Sequence, residues 1–547
     1  MLEGLGEFMA GVGVHAVELV FLLLLLFVVA FGALARKLAV PYPIVLVIGG
    51  LLLSLVPGIP RVTLNPDIVF FVILPPLLYS AAWLTSWREF SYNLVSIFLL
   101  AFGLVTFTVV CVTEAGHWVL PGFDWRVGLV LGAIVAPTDA IAATSIAKRL
   151  GLPRRLVAIL EGESLLNDAS ALLALEFGIG LLVAGRVPTF GEGLLRLCYL
   201  TGAGIAIGLI VAEIVHLIEH HIDDGPIEIA LSILTPYVAY LAADFVRASG
   251  VLAAVACGLY LSRKSSHFFS PTVRLQAWAV WDSLTFVLNG LVFVLIGLQL
   301  PYVTGQIREH NLGTLMFYGL AFSAFLIVLR LAWMFPATHL ANVVRKRLFH
   351  QTGPLPSNRH IFIAGWTGMR GVVSLAAAIA LPQMLADGIP FPQRNMIIFL
   401  AFSVILVTLV LQGLTLPPLI RALGVAGAAS GPDPEERDAR RTILKAALDY
   451  LDNSKIEPNS PSAEVYADLA QHYNQRLAML AGDGDTSAEG SERAFYEQFN
   501  DLSRKLLHIE RETAVQLRNR RHISDELLRE IERELDLNEA RLSGKSR

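Results

Sequence analysis

Three polar side chains share one face of an otherwise apolar stretch of the chain. Ser164, Asn167 and Asp168 are spaced i, i+3 and i+4, so they lie on one stripe of a helix. A hydroxyl, an amide oxygen and a carboxylate on one stripe can replace part of the hydration shell of a small cation. Because burial disfavours a charged carboxylate, a proton can compete with the cation for Asp168. The spacing therefore predicts an ion-binding site at which proton and cation exclude each other.

A second polar group interrupts an earlier apolar run, at Ala136-Pro137-Thr138-Asp139-Ala140. Pro137 removes a backbone donor and disturbs the preceding turn, which frees carbonyl groups close to Thr138 and Asp139. Broken helices near the bilayer midplane mark binding sites in many secondary transporters. We therefore expect a helix break at Pro137, with Thr138 and Asp139 facing Asp168 in an oxygen-rich cage for a monovalent cation.

The third polar group is an arginine among glycines, in the segment from Gly365 to Gly371. A charged side chain in mid-membrane costs about 2.5–3.5 kcal/mol, so buried Arg370 needs a carboxylate partner. Glu163 lies about 100° around the helix from Ser164 and so faces another neighbour. We predict a structural ion pair between Glu163 and Arg370. The sequence assigns no partners to four further charges in or near apolar runs, Glu176, Asp244, Asp282 and Arg330.

Membrane-spanning helices have to position these residues. Hydrophobic residues make up 55% of the 547 positions and charged residues 16%, against roughly 25% charged in an average soluble domain. Apolar runs near twenty residues, long enough to span a hydrocarbon core of roughly 30 Å, follow one another up to Gly424. We predict an all-α polytopic membrane protein with about thirteen transmembrane helices, twelve being the alternative. The predicted spans are 15–35, 41–57, 66–86, 92–113, 127–147, 154–183, 190–217, 225–246, 248–262, 276–300, 313–339, 360–384 and 394–422.

Charge gives the orientation of these spans in a cell membrane. With the N-terminus outside, the short cytoplasmic loops hold 14 Lys and Arg and the external loops hold 7. Because positive charge accumulates in cytoplasmic loops, the C-terminal part of the chain is predicted to lie in the cytoplasm. No clustered basic face is present in the sequence, so a nucleic-acid partner is not expected.

The chain is predicted to divide into a transmembrane domain, 1–424, and a cytoplasmic helical domain, 425–547. The second part contains 18 Lys and Arg and 24 Asp and Glu, a net charge near −6. It begins with a linker from Gly424 to Pro434, and a flexible break is predicted from Ala481 to Gly490. This part contains no nucleotide or metal motif, so we expect a regulatory or assembly domain. The identity of its partner stays open. Its predicted helices lie near 435–453, 462–481 and 491–542.

An enzymatic function has one weak signal in the sequence. His216, Glu219 and His220 fit a short zinc-peptidase pattern, but no third ligand cluster accompanies them. We interpret these residues as a hydrated polar helix end, with a weak pH-sensing role of the histidines left open. The chain is therefore not predicted to be an enzyme, and no cofactor is expected beyond transported Na⁺ and H⁺.

The polar motifs together resemble the cation:proton antiporter family, which contains bacterial sodium/proton antiporters and animal sodium/proton exchangers. The resemblance covers residues 1–424. It includes the family's third-helix signature, its Thr-Asp pair at the crossed helices, its acidic ion-binding helix and its buried-arginine segment. The matching residues are Leu74-Pro75-Pro76-Leu77-Leu78-Tyr79 with Ala81-Ala82-Trp83, Thr138-Asp139, Glu163-Ser164 with Asn167-Asp168, and Gly368-Met369-Arg370-Gly371.

The resemblance implies inverted repeats of six helices, discontinuous crossing helices five and twelve, a homodimer and an elevator-like movement. Asp168 would be the shared carboxylate, assisted by Ser164, Thr138 and Asp139. Asn167 stands where electrogenic relatives have a second aspartate, which implies electroneutral exchange. Ala140 stands where many relatives have a proline, so the position of the break in helix five stays open. The choice among Na⁺, Li⁺ and K⁺ also stays open.

Two other kinds of membrane protein are alternatives, a cation channel and an ion-responsive sensor with a cytoplasmic output domain. Channels build their filters at a subunit axis or from rings of carbonyl groups. Here the acidic residues lie on separate helices of one long bundle, and the C-terminal part has no recognisable output motif. The sequence therefore favours a secondary antiporter that exchanges Na⁺ for H⁺.

Overall fold

The structure is a computed structural model of the full chain, and it divides into two compact units, Met1–Ala429 and Ser430–Arg547. In the described residues all regular structure is helical, and the one extended pairing is a single bridge between Met384 and Pro390. The described residues are 21–543 without 39, 57–65, 120–121, 185–188, 223, 306, 308–310, 351–354, 386–389, 426–433, 454–460, 479–501, 504, 518, 521 and 523–524.

Long apolar helices dominate the first unit. Eight of its described helices are long and apolar enough to cross a membrane. Many of their outward side chains are large and apolar, such as Leu195 and Phe245, which are 73% and 89% exposed, as expected where lipid is the solvent. These helices are α1 (Phe21–Leu38), α5 (Leu94–Val119), α8 (Arg154–Ala184), α9 (Phe190–Glu219), α10 (Gly225–Phe245), α12 (Pro271–Gly305), α13 (Leu312–Leu348) and α16 (Arg394–Ala422).

Shorter helices lie between the long ones along the chain. The count of thirteen spans and the inverted repeat stay predictions, and the start of the first span, residues 15–20, lies outside the described residues. The shorter helices are α2 (Tyr42–Ser54), α3 (Ile68–Leu84), α4 (Trp87–Tyr92), α6 (Trp125–Val135), α7 (Ile141–Arg149), α11 (Gly250–Phe268), α14 (Asn358–Trp366) and α15 (Val372–Ile379).

Two helical segments are interrupted, and the interruptions contact each other. The first separates α6 from α7 at 136–140 and the second separates α14 from α15 at 367–371. The Asp139 N–H donates to the Met369 carbonyl oxygen at 2.8 Å, so the two breaks share a backbone hydrogen bond. A Cβ atom at Gly371 would overlap the Asp139 side chain, which explains why glycine stands at this crossing.

Small residues let the helices around the first break pack closely. Gly128 and Gly132 lie one turn apart on α6, and Cβ atoms built there would come within 2.9 Å of Thr113 and Val109 on α5. On another side, α6 packs on α8 through the close approach of Val130 to Gly178. The helix that leads into the break is therefore fixed between α5 and α8.

The second unit contains four described helices. Two of them match predicted helices within a few residues, but the long helix predicted over 491–542 is wrong in its described part. The sequence places the like charges of Arg518, Arg520 and Arg521 within one turn, which disfavours a continuous helix there. A new helix begins at Asp525, and an acidic residue is favoured at a helix start by the helix dipole. The predicted break at 481–490 and most of the linker lie outside the described residues. The four helices are α17 (Pro434–Asn453), α18 (Pro461–Ala478), α19 (505–517) and α20 (Asp525–Ser543).

The last two helices pack against each other through one arginine. Arg511 Nη2 donates to Asp536 Oδ1 at 2.6 Å and to Glu539 Oε2 at 2.8 Å. These partly exposed ion pairs join α19 to α20 at the surface.

Candidate functional site

The middle of α8 carries the predicted polar stripe, and it lies inside the helical bundle. Asn167 is 1% exposed and Asp168 is 9% exposed. Because α8 is a continuous helix from Arg154 to Ala184, its backbone groups are paired internally and only side chains can bind ions from it.

Two side chains of this stripe, with Glu163 on another face of α8, bind the broken segment of the neighbouring helix. The Ala140 N–H donates to Ser164 Oγ at 3.2 Å. Asn167 Nδ2 donates to Thr138 Oγ1 at 2.7 Å and to the Thr138 carbonyl at 3.4 Å. Thr138 Oγ1 in turn donates to Glu163 Oε1 at 2.9 Å. The polar stripe therefore supplies hydrogen bonds that the interrupted helix cannot make for itself.

Glu163 forms its ion pair with Arg330, an arginine in the middle of α13. Arg330 Nη1 donates to Glu163 Oε1, and Nη2 donates to Oε2 at 2.9 Å, which makes the pair bidentate. Arg330 also donates to the carbonyl oxygens of Gly365 and Ala364 at the end of α14. A Cβ atom at Gly368 would overlap the Arg330 side chain. Glu163 and Arg330 are 1% and 2% exposed, so both charges are neutralised inside the protein.

The predicted ion pair between Glu163 and Arg370 is wrong, because Glu163 pairs with Arg330 and the Arg370 guanidinium donates to backbone carbonyl groups instead. Arg370 Nε donates to the Val135 carbonyl at 2.6 Å, and its Nη1 donates to the Gly368 carbonyl at 3.1 Å. Val135 is the last residue of α6, where carbonyl groups lack helical partners and the helix dipole favours a cation. Arg370 therefore caps the helix that enters the first break.

Asp139 lies at the crossing of the two breaks. Its Oδ1 accepts from the Ile141 N–H at 2.8 Å, so the carboxylate caps the start of α7. Its own N–H donates to Met369. In the structure Asp139 therefore caps the start of α7. Its binding of a cation stays a prediction.

Asp168 differs from the other two acids, since it makes no hydrogen bond or ion pair with any residue that the structure describes. It faces a cavity of about 440 Å³. Ser374 Oγ and Asn289 Oδ1 belong to residues that line the same cavity, and both are buried without a hydrogen-bond partner. The other polar side chains on its wall are those of Tyr42, Ser80, Thr138, Asp139, Thr144, Ser145, Glu161, Ser164, Asp282 and Thr285.

The cavity brings together four of the predicted ion-binding residues, Thr138, Asp139, Ser164 and Asp168, whereas Asn167 does not line it.

Sequence reasoning missed Ser374 and Asn289. A signal for Asn289 existed, because it is a lone amide within an apolar run. Ser374 had none, because a single hydroxyl is common in membrane helices. Carboxylate, hydroxyl and amide oxygens around one cavity are the kinds of ligand that suit a hard monovalent cation.

The histidine pattern at the end of α9 does not form a metal site. In the described part of the chain no group of three His, Cys, Asp or Glu side chains could hold a metal ion. Of the residues in this pattern, His220 is exposed, whereas Glu219 is 3% exposed, so the expectation of a hydrated helix end is wrong for Glu219.

Most of the chain is similar to known proteins. A family model described as "Sodium/hydrogen exchanger, transmembrane" matches residues 22–422. An uncharacterised Na⁺/H⁺ exchanger of Mycobacterium tuberculosis is 35% identical over 523 residues, which are 94% of each chain. A sodium, potassium, lithium and rubidium/H⁺ antiporter of Bacillus pumilus is 33% identical over 455 residues, 80% of this chain and 66% of the relative.

A solved structure shows the same fold. The sodium proton antiporter MjNhaP1 from Methanocaldococcus jannaschii matches with a TM-score of 0.58 and 20% identity, over 75% of this chain and 99% of that chain. At this identity the likeness describes the arrangement of the helices.

Proposed function

The chain belongs to the sodium/hydrogen exchanger family, and on this premise we propose that it exchanges Na⁺ for H⁺ at Asp168. Li⁺ and K⁺ are further substrates to be tested, since the Bacillus pumilus relative is named for sodium, potassium, lithium and rubidium. The proposed exchange is electroneutral, one cation for one proton.

One observation carries the proposal, namely that Asp168 faces the cavity without a partner among the described residues. Glu163 is neutralised by Arg330, and Asp139 caps α7. Asp168 is therefore the buried carboxylate whose charge has to be balanced by something that enters from outside. A proton or a monovalent cation can supply that charge, and neither can bind while the other occupies the carboxylate.

The surroundings of Asp168 support binding of a partly dehydrated cation. Ser374 Oγ and Asn289 Oδ1 are buried oxygen atoms without hydrogen-bond partners, and they belong to residues on the same cavity wall. A cation would give such oxygens the partner that buried polar atoms normally have. The Asp139 carboxylate, also on the wall, would add negative charge close to the cation.

The proposal of electroneutral exchange rests on Asp168 as the one acid at the site that binds the proton or the cation. Asn167 precedes Asp168, and its amide is tied to Thr138. If Asp168 alone binds the exchanged ions, the site carries the same charge with one bound proton as with one bound monovalent cation. Each cycle then moves no net charge across the membrane.

Access from the two sides requires that the site opens alternately. We extend the proposal to an elevator-like movement within a homodimer, as the resemblance to the cation:proton antiporter family implies. The hydrogen bonds from α8 to the first break and from Arg330 to α14 support this, because they would keep the site residues together as one body.

The test is cation-induced proton movement in proteoliposomes that contain the full chain. Na⁺, Li⁺ and K⁺ are added in turn, with the membrane potential clamped or free, to wild type and to Asp168→Asn. Asp244→Asn is the matched control, because Asp244 is an exposed carboxylate of α10 outside the cavity. We expect proton flux from wild type and the control, unaffected by potential, and none from Asp168→Asn. Full flux from folded Asp168→Asn, or cation flux without proton coupling, would overturn the proposal.

A further inference from the structure

A second and larger cavity lies on the other half of α8, away from the ion site. Its volume is about 800 Å³, within the range of roughly 300–1,000 Å³ that is typical of ligand-binding cavities. It is enclosed by α5, the C-terminal half of α8 and the first turns of α9. The side chains that form its walls are chiefly apolar, among them Phe102, Val105, Val109, Leu129, Phe177 and Leu200.

The cavity is long, narrow and open to the surface that faces lipid. Along α8 it extends from Gly180 to Ser170, ten residues and so about 15 Å at 1.5 Å per residue. Three of its apolar residues, Val110, Phe177 and Leu194, are 56%, 38% and 49% exposed, which places them at the opening. A cavity of this shape fits an extended hydrocarbon chain that enters from the bilayer.

Charged side chains of both signs lie on the wall of this cavity. Arg196 Nη2 donates to Glu176 Oε1 at 2.8 Å, and the two side chains are 46% and 56% exposed. Glu192 lies close by in the first turn of α9, where its Oε2 accepts from the Thr189 N–H at 2.8 Å. Arg196, Glu176, Glu192 and Thr189 all line the cavity. Three exposed charges with a net value of −1 thus lie on the wall of an otherwise largely apolar cavity.

We propose that this cavity binds a zwitterionic phospholipid with a primary ammonium headgroup. One acyl chain lies between α5, α8 and α9, the phosphate accepts from Arg196, and the ammonium donates to Glu176 and Glu192. An exposed Arg–Glu pair is a weak interaction, so a phosphate can replace the carboxylate at little cost. Two carboxylates beside one arginine disfavour an anionic headgroup, and a trimethylated ammonium has no N–H group to donate to them.

Gly180 lines the cavity, so a larger side chain at this position would fill part of it. A Cβ atom built on Gly180 meets no atom within 4 Å, so Gly180→Leu places its side chain in open space. Gly202 on α9 has the same freedom and does not line the cavity. Gly202→Leu is therefore the matched control, with the same added volume on a lipid-facing helix.

The experiment is native mass spectrometry of the purified, delipidated full chain, titrated with phosphatidylethanolamine, phosphatidylcholine or phosphatidylglycerol of identical acyl chains. We expect wild type and Gly202→Leu to bind one phosphatidylethanolamine with about tenfold preference over the other two lipids, which is about 1.4 kcal/mol. Gly180→Leu should weaken this binding by at least about tenfold. The triple variant Glu176→Gln, Glu192→Gln and Arg196→Gln should bind all three lipids alike. It keeps the cavity and changes only exposed side chains, so it tests the headgroup contacts independently of the filled variant.

Three results would overturn the lipid site. The first is equal binding of phosphatidylethanolamine by Gly180→Leu and wild type, and the second is a preference for phosphatidylglycerol. The third is a loss of dimer in Gly180→Leu without a change in lipid binding, which would assign the surface to a second copy of the chain. Because the readout is binding, the result is independent of whether the chain exchanges Na⁺ for H⁺.

Discussion

Arg330 and Glu163 form a bidentate ion pair inside the transmembrane unit, and this pair connects α13 to α8. Through Thr138 the same carboxylate also reaches the broken segment between α6 and α7. The ion pair therefore holds α13, α8 and the broken segment together, and in our proposal Asp168 is the acid that responds to ions.

The first prediction concerns this pair. Arg330→Met should lower the free energy of unfolding by about 3–5 kcal/mol, since it leaves a buried carboxylate without its counter-charge. Adding Glu163→Gln should recover part of that loss, because both charges are then gone. Melting temperatures of the single and double variants in detergent give the coupling energy. Additive losses would show that the two residues are not partners.

The second prediction separates Arg370 from this pair. Arg370→Met removes hydrogen bonds to the carbonyl groups of Val135 and Gly368, and we expect a loss of about 1–3 kcal/mol from each buried acceptor that is left unpaired. Because Arg370 makes no hydrogen bond to Glu163, adding Glu163→Gln should not restore stability. Rescue of Arg370→Met by Glu163→Gln, in the same melting assay, would restore the pairing that the sequence suggested.

The third prediction concerns Asn167. Asn167→Asp replaces a donor to Thr138 by a carboxylate that would face the Thr138 oxygen atoms. We expect a lower melting temperature and a lower exchange rate, with no gain in sensitivity to membrane potential. Asn453→Asp, on an exposed part of α17, is a control for the charge change alone. A stable Asn167→Asp variant with potential-dependent exchange would contradict the tethering role.

The fourth prediction tests the contact between the two breaks. Gly371→Ala adds a methyl group that overlaps the Asp139 side chain, so we expect loss of exchange or of the folded protein. Gly202→Ala, where a methyl group meets no atom within 4 Å, should behave as wild type. Exchange rates in proteoliposomes and the yield after size-exclusion chromatography distinguish the two outcomes. Normal exchange by Gly371→Ala would mean that the breaks do not need to approach this closely.

Local patterns in the sequence predicted the parts of the site that lie close together along the chain. The i, i+3, i+4 spacing of Ser164, Asn167 and Asp168 placed them on one face, and Pro137 lies in the observed break. The spacing did not show what each polar atom does. Asn167 was expected to supply an oxygen ligand, whereas its Nδ2 donates to Thr138 and its Oδ1 is buried without a hydrogen-bond partner.

Partners that come from distant helices could not be predicted in the same way. Glu163 and Arg330 are 167 residues apart, and nothing in local spacing distinguishes Arg330 from Arg370 as the partner. The apolar surroundings of Arg330 did contain a signal, because an arginine inside a span needs a counter-charge. The bidentate geometry that decides between the two arginines depends on how α13 and α8 pack.

The most direct test of the central claim is proton release when Na⁺ is added to the purified chain in weakly buffered detergent solution. If proton and cation compete for Asp168, wild type should release one proton for each Na⁺ bound, and more alkaline solutions should show tighter binding with less release. Asp168→Asn should bind little Na⁺ and release no proton, whereas Asp244→Asn should match wild type. Na⁺ binding to wild type without proton release, or unchanged release from Asp168→Asn, would contradict competition at this carboxylate.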